Sequence, residues 1–285
     1  MKKRVILALC LAVIYVFVVC GLSFCDSYPQ RIVSLGPSIT EQLYSLEGQD
    51  RLIGCTIYCN RPKEAASKEK IGTVIEINLE KIVSLKPDLV IATALTNSKA
   101  IKKLRGLGLK VITFASPENF AGLCNQYIEL ARIIGKQEQA EKLIDQVNDR
   151  VSAIRKKVGN LPKLKVFVQV GAKPLVTITE RSFINDFIEF AGCINVALGA
   201  TTGLYSREEV LKKNPDIILI VTMGIAGEKE KEIWERYDII KAVQNNKIYI
   251  IDSDKVCSPS PLSFVQTLDE LVDILHFKSI QAKEK

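Results

Sequence analysis

Histidine is almost missing from this chain. One residue, His276, stands in 285, and that scarcity removes several chemistries at once. A Ser-His-Asp or Cys-His relay would have to use His276, which lies on an apolar C-terminal stretch with no nucleophile elbow in sight. Zinc and manganese sites built on histidine clusters are excluded for the same reason. No GxGxxG and no GxxxxGK[ST] follows an apolar run, so nucleotide chemistry lacks its phosphate cradle. Cysteine is present but uninformative as a scaffold: Cys55, Cys59, Cys124, Cys193 and Cys257 are too few and too scattered. Cys55-x-x-x-Cys59 is no standard zinc spacing and has no second pair; packed thiols and a disulfide both fit it. Acidic and basic residues nearly balance, 32 against 39, with no basic stripe interleaved with aromatics, so nucleic acid is not an expected partner. The residues therefore nominate no catalytic group, no cofactor and no metal ligand.

What is present begins at the N-terminus. Lys2, Lys3 and Arg4 precede an uncharged run from Val5 to Val19, the layout of a secretory signal peptide. A permanent anchor is the competing reading, because the apolar stretch continues to Phe24 and roughly 20 residues span a bilayer. A polar, soluble-looking chain starting at Asp26 favours cleavage, with residues 1–25 as the signal. Cys20 and Cys25 raise a lipoprotein reading, yet they follow Val19 and Phe24 rather than a small residue, and the sequence leaves lipidation open. The expected place is the periplasm or the outer face of the cytoplasmic membrane. About 260 residues remain, enough for two modest domains or one large one.

The informative feature is internal similarity. Asn78 to Thr93 (NLEKIVSLKPDLVIAT) aligns with Ser206 to Val221 (SREEVLKKNPDIILIV) at a constant offset. The cap residue, a Glu, an apolar pair, Pro-Asp and a closing apolar run all coincide. Each copy reads as a short helix, a Pro-Asp stop and a buried strand. Ser38 to Gly48 (SITEQLYSLEG) likewise matches Ser182 to Gly192 (SFINDFIEFAG), each an apolar face closed by glycine. Two matches in the same order indicate two similar lobes.

Strands are expected near Arg31–Leu35, Leu52–Thr56, Leu89–Thr93 and Val111–Phe114, then near Lys165–Val170, Leu175–Thr179, Ile217–Val221 and Lys247–Ile251. Continuous apolar runs alternating with helices predict an α/β fold with mostly parallel sheets covered on both faces. Between the copies, Gln137–Val158 places Ala140, Leu143, Ile144, Val147, Val151 and Ile154 at helical spacing. A helix there would be roughly 33 Å long and would bridge the lobes. The expected organisation is an N-terminal lobe over 26–136, a connecting helix over 137–160 and a C-terminal lobe over 161–285.

These residues resemble a known family. Arg31-Ile-Val-Ser-Leu-Gly-Pro-Ser-Ile-Thr-Glu41, Ile53-Gly54, Tyr58, Ile71-Gly72, Asn78-Leu-Glu80 and Leu85-Lys-Pro-Asp-Leu-Val90 look like the helical-backbone periplasmic solute-binding proteins of ABC transporters. The nearest likeness is to the cobalamin and ferric-siderophore group, and it is thinner in the second lobe. The resemblance implies two Rossmann-like lobes joined by one long backbone helix and a ligand held between them. The implied ligand is a corrinoid or another metal chelate; haem, a ferric siderophore or a sensor without a permease is the alternative. It also implies a monomer that meets an ABC permease dimer through Glu80 and Glu208, one per lobe. Local chemistry agrees, since Asn78 and Ser206 are good N-caps and Ser206 with Glu209 forms a capping box, leaving Glu208 to solvent. Helix-dipole complementation is the plainer role for both Glu residues.

Parallel α/β sheets bind ligands beyond the carboxyl ends of their strands. That rule nominates Gly36, Pro37, Tyr58, Ala94–Asn97 (with Asn97 as a polar contact) and Ser116 in the first lobe. In the second it nominates Gly171–Lys173, Thr202–Tyr205, Met223–Gly224, Ser253 and Asp254, with Lys173, Thr202, Tyr205 and Met223 as contacts. Tyr58 and Tyr205 offer flat faces for a macrocycle and hydroxyls for its polar edge, although an isolated Tyr is as often half-buried core. The cobalamin receptors carry tryptophan in this cleft. Here Trp234 falls outside the matching loops and Val74 stands where an aromatic is expected.

Overall fold

The computed structural model describes residues 28–222 and 226–277. The expected signal segment, Met223 and Gly224 lie outside the described residues. The first lobe carries β1 (Ile32–Ser34), β2 (Leu52–Cys55), β3 (Glu69–Lys70), β4 (Leu89–Thr93) and β5 (Val111–Phe114). They form one sheet in the order β3-β2-β1-β4-β5, every pair parallel. Helices α1 (Pro37–Ser45), α2 (Leu79–Ser84), α3 (Ser98–Gly106) and α4 (Phe120–Ile133) make the crossovers or follow the last strand. The second lobe carries β6 (Lys165–Ala172), β7 (Leu175–Thr177), α6 (Phe183–Phe190), β8 (Ile194–Asn195), α7 (Arg207–Lys213) and β9 (Ile217–Val221). It continues through α8 (Gly227–Trp234), α9 (Lys241–Gln244), β10 (Ile248–Ile251), α10 (Ser253–Val256) and α11 (Pro261–Val272). Its sheet runs β10-β9-β6-β7. Here β7 returns antiparallel along Gln169–Ala172, while β8 pairs parallel with the start of β6. The fold is therefore α/β with two lobes, one wholly parallel and one mixed. The long helix between them, α5, spans Gln137–Val158.

The repeated Pro-Asp motif has a structural cause. Lys86 and Asn214 occupy the left-handed region at φ 47° and φ 46°, turning each short helix sharply before the proline. The following aspartate then reaches back to the first strand of its own lobe. Asp88 accepts from the backbone N–H of Gln30 at 2.7 Å and of Arg31 at 3.0 Å, and Asp216 accepts from that of Lys165 at 2.8 Å. Each aspartate thus fixes where β1 or β6 begins relative to the neighbouring β4 or β9. Those neighbours are the continuous apolar runs seen in the sequence: four of five residues of β4 and all five of β9 are buried. A charge-assisted hydrogen bond to a backbone amide is stronger than a neutral one, which suits a register pin where two central strands begin.

One buried core joins the lobes. On α5, Ala140, Ile144, Val147, Val151, Ile154 and Val158 are buried, and they pack into a cluster shared with α1, α4, α6 and α11. Phe264 of α11 stacks on Phe187 of α6 at 4.0 Å between centroids and lies 4.6 Å from Phe120 at the start of α4. Each such ring contributes roughly 1.5–3 kcal/mol when fully buried. Asp186 adds a polar tie across the same seam by accepting from the Phe120 N–H at 2.6 Å. Two outer clusters, one per lobe, cover the far faces of the sheets.

Candidate ligand-binding site

A cavity of about 260 Å³ opens between the lobes, over the carboxyl ends of the first sheet. The loops after all five first-lobe strands reach it. Pro37 and Ser38 follow β1, Tyr58 follows β2, Val74 follows β3, Ala94 and Leu95 follow β4, and Ala115 to Pro117 follow β5. Across the gap stand Phe183 of α6 and the segment after β10: Ser253, Asp254, Cys257 and Ser258. Tyr58 is 55% exposed and Leu95 71% exposed, so large apolar surface faces the opening. Gln126 of α4 also lines the cavity, with its amide held by the Ala115 carbonyl at 2.8 Å. Among the described lining residues Asp254 supplies the one carboxylate; hydroxyls, amides and apolar groups make up the rest. Such a surface suits a ligand with a broad apolar body and a rim of neutral hydrogen-bonding groups.

The structure brings together only part of the expected contact set. Pro37, Tyr58, Ser253 and Asp254 line the cavity, as do Ala94, Leu95 and Ser116. Gly36 sits just beneath it, and its role is steric: a Cβ there would stand 2.5 Å from Cγ2 of Thr93. Asn97 is not in the cavity; its side chain caps α3 by accepting from the Lys99 N–H at 2.9 Å. Lys173 occupies the exposed hairpin tip between β6 and β7, near enough to Glu230 to act on its charge. Thr202 is exposed on the loop before α7. Tyr205 packs on Phe167 at 6.0 Å and turns its hydroxyl to the Val196 carbonyl at 3.5 Å; burial raises its phenol. The expectation for Lys173, Thr202 and Tyr205 treats the second lobe as parallel like the first. The antiparallel β7 breaks that symmetry and engages the segment around Tyr205, whose N–H bonds the Leu175 carbonyl. Phe183, Gln126, Cys257 and Ser258 join the lining without having been nominated. Phe183 had a signal, since it opens the repeated helix that matches Ile39.

Glu80 and Glu208 stand outside the cavity, each exposed in the first turn of a short helix. Asn78 caps α2 by accepting from the Lys81 N–H at 2.9 Å, and Ser206 with Glu209 closes the full capping box on α7. Its own backbone N–H and the Ser206 hydroxyl hold the Glu208 carboxyl below the usual range. Beneath α7 lies a network with no sequence signature. Arg207 donates to Glu230 at 2.7 Å and sits over the Trp234 ring at 4.4 Å. Gln169 donates to Glu230 at 2.8 Å, and Trp234 donates to Gln169 at 2.6 Å. The lone tryptophan is fully buried there, anchoring α8 and the root of α7.

Residues 32–255 match the family model described as periplasmic binding protein. The chain belongs to that family. It is a binding protein and not an enzyme. An uncharacterized ABC transporter substrate-binding lipoprotein of Bacillus subtilis, YvrC, is 29% identical over 256 residues, covering 87% of this chain and 80% of the relative. A vitamin B12-binding protein of Vibrio parahaemolyticus is 25% identical over 268 residues, covering 92% and 94%. Among solved structures, a possible iron-binding periplasmic solute-binding protein of Staphylococcus epidermidis superposes with a TM-score of 0.78 at 28% identity, covering 88% of this chain and 100% of that one. No described helix of this periplasmic binding protein is long and apolar enough to cross a membrane.

Proposed function

We propose that this chain is the substrate-binding component of an ABC importer that captures a corrinoid or a similar large metal chelate between its lobes. The carrying observation is the cleft itself, open at the carboxyl ends of a parallel sheet, walled by Tyr58 and Leu95 and rimmed by hydroxyls and amides. A cavity near 260 Å³ lies just under the range that encloses a drug-sized ligand. A macrocycle would therefore be gripped by one edge and face, its remainder in solvent. Because α5, α6 and α11 share one core across the lobes, the cleft closes little, and a rigid ligand loses little ordering entropy on entering it. The name of the Vibrio relative supports the corrinoid reading. Isothermal titration against cobalamin, cobinamide, haem and a ferric siderophore tests it. One-to-one binding of a corrinoid is the expected result. Binding of none of the four defeats the proposal.

An iron chelate or haem is the second reading. It is favoured by the exposed Tyr58 phenol at the cavity, a ligand class that iron accepts, and by the similarity to the possible iron-binding protein of Staphylococcus epidermidis. Haem binding alone in the same titration would promote it. Delivery would follow docking of Glu80 and Glu208 on a permease, and residues 1–25 would direct export and then be removed. A purified mass that excludes that segment supports cleavage, whereas an intact Met1 end would mean an anchor.

A further inference from the structure

The segment that joins α10 to α11, residues 257–260, runs between two cavities. Cys257 and Ser258 line the ligand cavity, and Ser260 lines a second one of about 530 Å³ along the same seam between the lobes. The chain reads Ser258-Pro259-Ser260-Pro261 there, so two of its positions have no N–H with which to anchor it. Its own lobe holds the segment at the ends. The Cys257 N–H bonds the Ser253 carbonyl at 2.8 Å, and Ser260 closes a capping box with Ser263. The remaining ties come from the first lobe. Arg61 Nη2 donates to the Ser258 carbonyl at 2.8 Å, and the Ser260 hydroxyl donates to Glu41 Oε1 at 2.6 Å. The same Arg61 nitrogen stands 3.2 Å from Glu41 Oε2, an oxygen with no hydrogen bond of its own among the described residues. Arg61 follows Tyr58 by three residues, so one loop offers Tyr58 to the cavity and Arg61 to the opposite wall. Glu41 rides on α1 between Ile39 and Leu43, which are buried in the shared core. Among the described residues one other side-chain hydrogen bond joins lobe to lobe, that of Asp186 to the Phe120 N–H.

We infer that Arg61, braced by Glu41, is a positioning residue for ligand binding: it holds the second-lobe wall at Cys257 and Ser258 in place against the Tyr58 loop before a ligand arrives. The inference rests on the reading of this cavity as the ligand site. The side chains of Arg61 and Glu41 are 28% and 14% exposed, so both are largely shielded from competing water. Two bonds from one guanidinium nitrogen, each charge-assisted, tie the wall and the brace together. A wall already in place need not be ordered when the ligand enters, and that saving appears as affinity. Removing the guanidinium frees the Ser258 carbonyl and leaves the Glu41 carboxylate with the Ser260 hydroxyl alone. The loss should fall on release of the ligand, because changes within one interface act mostly on dissociation.

The test compares wild type with Arg61→Ala, Arg61→Lys and Arg150→Ala. The last removes an ion pair with Asp269 of α11 that lines neither cavity. Backbone amide exchange is read first, on the ligand-free chain. Arg61→Ala should speed exchange over residues 257–264 about tenfold, the equivalent of one hydrogen bond to a charged group, while β4 and β9 keep their wild-type rates. Arg61→Lys, which keeps a cation facing Glu41, should restore part of that protection, and Arg150→Ala should leave 257–264 unchanged. Cobalamin is then the probe for release. It should leave Arg61→Ala about tenfold faster than wild type, with a smaller change in its association rate. Wild-type exchange over 257–264 in Arg61→Ala would overturn the positioning role. An equal acceleration in β4 and β9 would overturn it too, since that is the mark of a general loss of stability. Unchanged cobalamin release from a chain whose 257–264 segment has loosened would sever the wall from ligand binding. If the wild-type chain takes no cobalamin, the corrinoid reading fails by itself, and the exchange comparison still decides whether Arg61 holds the wall.

Discussion

Removing the Glu230 carboxylate isolates the energetics of the network beneath α7. Its side chain is 7% exposed and that of Arg207 is 20% exposed. One oxygen, Oε2, accepts from both Arg207 and Gln169. Glu230→Ala strands a half-buried guanidinium and a buried amide together, and breaking a buried pair from one side costs about 3–5 kcal/mol. Replacing both ions, Glu230→Met with Arg207→Met, leaves one Gln169 N–H unsatisfied, since that amide keeps its bonds to Gly171 and Trp234, and should cost about 1–3 kcal/mol. Urea unfolding of wild type, Glu230→Ala and the double replacement measures both costs. Burial alone would raise the Glu230 carboxyl, but the hydrogen bonds from Gln169 and Arg207 outweigh it and hold the group below its usual value. A carboxylate depressed in the fold contributes stability above its unfolded value of about 4.3, and that contribution is lost as pH falls through the folded value. Wild type should therefore lose stability more steeply below about pH 4.3 than Glu230→Gln does. If Glu230→Ala stays within about 1 kcal/mol of wild type, the pair is not acting as a buried one. A double replacement no more stable than Glu230→Ala refutes the reasoning equally.

Two other perturbations test the cleft and its delivery role. Gly36→Ala forces a Cβ to 2.5 Å from Thr93; overpacking of this kind costs about 1–3 kcal/mol, and thermal unfolding should show it while a Ser38→Ala control does not. Glu80→Ala with Glu208→Ala should leave ligand affinity unchanged and impair uptake in cells lacking the native receptor; normal uptake by that double variant removes the docking role.

Much of the fold was legible because its signals are local. The limits of α5 follow directly from six apolar positions at helical spacing between two repeats. The runs at Leu89–Thr93 and Ile217–Val221 became strands over the expected residues, since buried parallel strands need no alternation. The short strands Glu69–Lys70 and Ile194–Asn195 escaped, because two residues carry no period. The first-lobe half of the cavity has a related basis: every strand there is parallel, so a loop from each carboxyl end reaches it, although Asn97 turns away to cap α3. In the second lobe Ser253 and Asp254, which follow a parallel strand, lie at the cavity as the rule expects of such a loop. Lys173 and Tyr205 lie away from the cavity, where the β6–β7 hairpin decides the path of the chain. Hairpin or crossover is a tertiary choice that Leu175–Thr177 does not announce. The Arg207–Glu230–Gln169–Trp234 network is invisible in sequence because its members converge from β6, α7 and α8.

The shared core around α5 bears on how this molecule came to be a unit. Each lobe has an outer cluster of its own, but the inner helices of both surrender their apolar faces to a single interior. Neither lobe could be cut free without baring Phe264, Phe187 and the length of α5 to water. Gene fragments divided near Pro162 should consequently be insoluble when expressed singly, yet able to find one another when made together, as two pieces of a broken casting fit along their fracture.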